Sequence, residues 1–61
     1  MSDAAIAVDL GGTNIRAALV TRDGAIRHLI RRPTLAQEGP KAVIDRIVAS
    51  ITEVAEREGA D

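Results

Sequence analysis

The chain contains no cysteine, so it can form neither a disulfide nor a thiolate metal site. Phe, Tyr and Trp are absent too, which removes the stacking platforms that aromatic binders of single-stranded nucleic acid rely on. One histidine, His28, cannot make a compact zinc site alone. Neither sign of charge dominates: 8 Lys and Arg stand against 9 Asp and Glu, for a formal charge of −1. That balance excludes a basic nucleic-acid footprint and a polybasic membrane anchor. Long apolar runs are missing as well. Ala4 to Val8 is too short for a membrane span or a signal core, and Met1-Ser2-Asp3 carries no basic residue, so a cytoplasmic location is expected. At 61 residues the chain makes at most one domain. A domain of that size buries only about 60% of the surface its unfolded chain exposes, and such domains usually lean on disulfides, a metal or a partner for stability.

What is present divides into two halves with different periods. Residues 4–9 (AAIAVD) are apolar on both parities and end before a glycine pair, the pattern of a strand buried on both faces. Residues 14–21 (NIRAALVT) read as a second strand, with Ile15, Ala17 and Leu19 on one face and Arg16, Ala18 and Val20 on the other. Asp23-Gly24 is a hairpin signal, expected to place both central residues at positive φ. A third strand over 25–32 runs into Pro33, which removes a ladder donor. Residues 34–38 form a connector to which the sequence assigns no conformation. Pro40 then starts a helix over 40–58, with Val43, Ile44, Ile47, Val48, Ile51, Val54 and Ala55 as a single apolar stripe and Gly59 as its stop. Glu53 and Arg57 are placed to pair across one turn. The expected architecture is α/β: a three-stranded antiparallel β-meander followed by one helix, βββα. The first strand would then be an exposed edge, which on so small a domain predicts self-association.

The glycine pair sits in Asp9-Leu10-Gly11-Gly12-Thr13. Taken alone, Gly-Gly between strands is ordinary turn chemistry. It is not a Walker loop, which closes with Lys and Ser/Thr, nor a dinucleotide fingerprint, because both of those lead into a helix and this pair leads into a strand. The surrounding residues add a second meaning. Glycines let backbone N–H groups approach a ligand and form an anion-binding concavity, and Thr13 adds a hydroxyl donor. Asp9 suits phosphate only through a cation, for which a water-carrying Mg²⁺ is the natural mediator. Arg16 supplies positive charge nearby. Positioning and charge stabilisation are what phosphoryl transfer asks of a protein.

The run AVDLGGTNIRAALVTRDGAI closely resembles the N-terminus of the ROK family (repressor, open reading frame, kinase), whose kinases include bacterial glucokinases. The family belongs to the superfamily of actin, sugar kinases and Hsp70. The order strand, Asp-x-Gly-Gly-Thr, strand, Asp-Gly turn, strand, Pro-Thr connector and long helix can be followed over almost the whole chain. The resemblance implies that βββα is the opening part of a ribonuclease H-like, actin-like ATPase lobe. It implies that Asp9, Leu10, Gly11, Gly12, Thr13, Asn14 and Arg16 bind the β- and γ-phosphates of ATP, with Asp9 acting on Mg²⁺ through water. Asn14 departs from the Lys common in ROK members, although Gly-Gly-Thr-Asn-x-Arg also occurs in other glucokinase and hexokinase branches.

The expected function is that of the phosphate-binding segment of an ATP-dependent hexose kinase. The catalytic Asp, the sugar-binding residues and the other nucleotide motifs of the family have no counterpart here, so the chain alone is expected to be inactive. The chain ends where the family's next strand should begin, which reads as the opening third of a first lobe. Two alternatives stand beside this. A sugar-sensing ROK repressor would carry a helix-turn-helix domain ahead of the strand, where this sequence has three residues before Ala4. The other is a ligand-free βββα interaction module. Elsewhere, Arg27, Arg31 and Arg32 read as charges on an outer strand face guarding an edge. His28 reads as structural or exposed, and Asp45, Glu53, Glu56 and Glu58 as a solvated helix face.

Overall fold

The computed structural model describes residues 4–60. Three strands, β1 (Ala4–Leu10), β2 (Asn14–Thr21) and β3 (Ile26–Pro33), precede a short 3-10 turn (Ala36–Glu38) and one helix, α1 (Pro40–Ala60). The strands form a single antiparallel sheet in the order β1-β2-β3. The expected βββα meander is therefore the observed fold.

Helix α1 covers one face of the sheet. Period-2 alternation puts Ile15, Ala17 and Leu19 of the central strand on that face, and all three are buried. Ala17 and Leu19 pack with Ile30 and Val54, and Ala4 and Ile6 of β1 lean against this cluster. Pro40 occupies the first helical position, where its missing N–H costs nothing, and the Gly39 carbonyl accepts the Val43 N–H at 3.2 Å.

The structure corrects the expected helix face. Val43, Ile47 and Val54 turn inward, but the buried residue beside Val54 is Ser50, fully enclosed and donating to the Arg46 carbonyl at 2.8 Å. Ile44 and Val48 are 57% and 56% exposed, and Ile51 and Ala55 are exposed as well. With 3.6 residues per turn, the set 44, 48, 51, 55 lies about 100° round the helix from the set 43, 47, 50, 54. The apolar positions thus form two stripes, and a three-stranded sheet covers one. Neither does the helix stop at Gly59, which lies inside it; no left-handed conformation is adopted there.

Strand β1 is not buried on both faces. Ala5, Ala7, Val8, Asp9 and Leu10 are all exposed, because β1 is an edge strand and no described element covers the sheet opposite α1. The β2–β3 hairpin also differs in detail. The Thr21 carbonyl accepts the Gly24 N–H at 3.0 Å and the Thr21 N–H donates to Ala25 at 2.9 Å. Gly24 takes positive φ and Asp23 does not, so the loop has three residues rather than two. The Thr21 hydroxyl donates to the Asp23 carboxylate. That bond, helped by backbone N–H groups, holds the Asp23 carboxyl below the ordinary aspartate range.

A bulge in β3 sets the register of its second half. Leu19 pairs with Arg27 but Ala17 pairs with Ile30, so His28 and Leu29 together oppose one residue of β2. His28 absorbs the extra residue in a left-handed conformation, φ 55°, a region in which His is among the more tolerated side chains. Its ring meets Glu58 at 2.9 Å, and Arg27 lies 3.5 Å from the same carboxylate. Arg32 bonds Glu53, which also accepts from Arg57 at 2.7 Å. Arg27 and Arg32 therefore face the helix, not the outside. Glu53 and Glu58 tie α1 to the sheet instead of facing only solvent. Arg31 alone of that run follows the expected outward reading.

Candidate functional site

Site geometry begins with the β1–β2 loop. Leu10 and Ile15 are the last paired residues of the two strands, and the Gly11 N–H closes the turn on the Asn14 carbonyl at 2.9 Å. Gly12 and Thr13 form its exposed tip. Among the described residues, no acceptor takes the Gly12 or Thr13 N–H or the Thr13 hydroxyl. Three donors on this exposed tip thus have no partner among the described residues.

The two glycines have different reasons to be there. A Cβ at Gly11 would stand 3.1 Å from the Asn14 carbonyl oxygen, tighter than ordinary contact. At Gly12 a Cβ would meet nothing within 4 Å, and φ there is outside the left-handed region. Folding explains Gly11. The empty space at Gly12 is what a ligand approaching the backbone requires.

Thr34, in the connector after β3, holds this loop in place. It is 3% exposed, its hydroxyl donates to the Gly11 carbonyl at 2.7 Å, and its N–H donates to the Thr13 carbonyl at 2.9 Å. The Thr34 carbonyl in turn accepts from Arg46 of α1 at 2.9 Å, and Arg46 also bonds Glu38. A continuous set of hydrogen bonds therefore runs from the helix through the connector to the loop. Sequence reasoning did not place Thr34 or Arg46 in the site, because the connector has no periodicity to read. The signal available was Thr34 directly after the proline that ends β3.

Thr34→Val is expected to cost about 1 kcal/mol, the net worth of a hydrogen bond lost with its shape kept. Faster hydrogen exchange at Gly11, the loop amide that is bonded within the protein, should accompany that loss, with the core strands unchanged beyond it. Thr34→Ser should restore protection. Uniform exchange rates across loop and core would show that Thr34 serves the fold and not the loop.

Asp9 and Arg16 are direct partners across β1 and β2, and Arg16 is the direct partner of Arg31 across β2 and β3. The row lies on the sheet face opposite α1, immediately before the loop. A recess of about 220 Å³ opens on this face, with Asp9 and Arg16 at one end and Ala7, Ala18, Val20 and Leu29 along it. A second recess, about 390 Å³, lies at the hairpin end between Thr21, Asp23, Arg27 and Glu58, away from the glycine loop. Asp9 is exposed rather than the end of a buried strand. No group of three or more His, Cys, Asp or Glu able to hold a metal occurs among the described residues. Asp9 fits a Mg²⁺ whose other ligands are water and phosphate oxygens, and does not fit one held by protein alone. No helix among the described residues is long and apolar enough to cross a membrane.

Comparison with known proteins adds three relatives. Glucokinase of Thermotoga maritima is 46% identical over 55 residues, which is 90% of this chain and 17% of that protein. N-acetylmannosamine kinase of Shigella boydii serotype 18 is 41% identical over 46 residues, 75% of this chain and 16% of that protein. The N-acetylmannosamine kinase of Escherichia coli is 40% identical over 47 residues, 77% of this chain and 16% of that protein. This chain spans about a sixth of the length of the curated relatives it matches. No family model matches it, and neither does any solved structure.

Proposed function

The chain belongs with the ROK-family sugar kinases over the segment it spans, and we propose that it is the phosphate-binding segment of an ATP-dependent hexose kinase acting in the cytoplasm. The reading rests above all on the loop tip, where the Gly12 and Thr13 N–H groups and the Thr13 hydroxyl have no acceptor among the described residues and Gly12 leaves its side-chain space open. Those donors suit the β- and γ-phosphate oxygens of ATP. Leu10, Gly11 and Asn14 close the turn that presents them. Arg16 adds a cation beside the loop.

Asp9 is the residue that would hold Mg²⁺, through its water shell. When bound, the ion neutralises charge on the phosphate oxygens as the phosphoryl group transfers. The chain's own part is to hold the phosphates in one place and orientation. The base that takes the sugar hydroxyl proton and the residues that choose the sugar are assigned to the rest of the lobe pair. The βββα unit is the opening part of such an actin-like lobe. The named relatives, a glucokinase and an N-acetylmannosamine kinase, act on two different sugars, and a hexose is the substrate class we propose for the whole protein.

Titrating the chain with ATP and Mg²⁺ while following backbone amides by NMR tests this. The Gly12 and Thr13 signals should move first and furthest, with the core of β2 unmoved. No movement at millimolar nucleotide would overturn the proposal and leave a ligand-free βββα module.

A further inference from the structure

Seven arginines and one lysine are distributed unevenly between paired and unpaired positions. Arg27, Arg32, Lys41, Arg46 and Arg57 each meet a carboxylate. Arg22 has a partner as well. Among the described residues Arg16 and Arg31 have none, and the register places these two opposite each other. Like charges at directly opposite positions destabilise a sheet, so the fold gains nothing from this pair.

The bulge at His28 creates the juxtaposition. Continued without it from the Leu19–Arg27 pair, the register would set Ile30 opposite Arg16 and turn Arg31 toward the helix. The extra residue instead buries Ile30 and brings Arg31 to the open face beside Arg16. Asp9, Arg16 and Arg31 then form a row across all three strands, one negative and two positive, next to the loop tip. All three are exposed and accessible from the same side.

We propose that Arg31 is a second phosphate-binding cation of this site, acting with Arg16 on the polyphosphate of a nucleoside triphosphate. The inference rests on the phosphate-binding reading of the loop. A polyphosphate chain is the ligand class this row fits, because its charge is spread over several oxygens and two guanidinium groups side by side match it with bidentate hydrogen bonds. Asp9 at the other end of the row takes the metal-bound side of the same ligand. A single carboxylate ligand would leave one guanidinium unused.

The test compares Arg31→Gln, Arg16→Gln and Arg57→Gln in the same ATP and Mg²⁺ titration. Arg57 lies near the end of α1, so its variant makes the same charge change far from the loop. Arg31→Gln and Arg16→Gln should each weaken binding about threefold to tenfold, and Arg57→Gln less than about twofold. Without nucleotide, Arg31→Gln should melt no lower than the parent, because it removes a like-charge opposition. Arg31→Met is the companion variant, so that a defect peculiar to glutamine does not decide the outcome. Parent amides that respond while both Arg31 variants bind like Arg57→Gln would overturn the role of Arg31 and leave the loop reading standing. Parent amides that do not respond would overturn both.

Discussion

Ile15→Ala is expected to unfold the chain at room temperature. Ile15 is fully buried on β2, the strand that contributes most of the core, and lies between its partners Leu10 and Arg32. Truncating a buried Ile to Ala costs about 2–5 kcal/mol. A single core in a domain of this size rarely supplies more than about 3–5 kcal/mol in total. The loss is therefore comparable to everything the fold has. Circular dichroism against temperature and urea should show a largely unfolded variant, or one whose transition has moved close to zero denaturant. Ile44→Ala is the matched comparison. Ile44 is an equally large side chain left exposed on the outer stripe of α1, and its truncation should change stability by no more than about 0.5 kcal/mol. Equal effects at the two positions would show that the helix packs through its other stripe.

Gly12→Val is expected to do the reverse, leaving the fold intact and abolishing nucleotide binding. The new side chain would meet no protein atom within 4 Å of its Cβ, and φ at this position is outside the left-handed region. Stability should stay within about 0.5 kcal/mol of the parent, as for other substitutions that touch nothing. The branched side chain, however, fills the space a phosphate needs to reach the Gly12 and Thr13 N–H groups. Losing those oriented donors should weaken ATP and Mg²⁺ binding by at least about tenfold, in line with removing one preorganised donor to an anion. Gly11→Ala separates the two glycine roles. It should cost stability, because its Cβ approaches the Asn14 carbonyl oxygen at 3.1 Å. A Gly12→Val chain that folds and still binds nucleotide as the parent does would remove the physical basis of the loop assignment.

Much of the candidate site could be proposed from the sequence because its parts are contiguous. Asp9 through Asn14 and Arg16 fall within eight residues, and a glycine pair between a carboxylate and a hydroxyl is a local pattern that needs no tertiary knowledge. Thr34, Arg46 and Arg31 were not legible in the same way. Thr34 meets Gly11 from 23 positions away, and Arg46 reaches Thr34 across 12. Arg31 joins the row only after a bulge has slipped β3 by one residue. A register slip reverses which face every later side chain occupies, and nothing in the run from Ile26 to Arg32 states where it falls.

The sequence by itself determined the elements and their order. Period 2 in the first half, period 3.6 in the second, Asp23-Gly24 and Pro40 are local devices, and each acts through the backbone of its own neighbours. Tertiary structure decided which surfaces meet. Helix α1 carries two apolar stripes about 100° apart, and propensity does not choose between them. The sheet is wide enough for one, and the bonds from Arg27, His28 and Arg32 to Glu58 and Glu53, with Arg46 to the connector, fix which. The same packing leaves β1 at an open edge although its composition is that of an interior strand, because burial is a property of what lies opposite a strand and not of the strand.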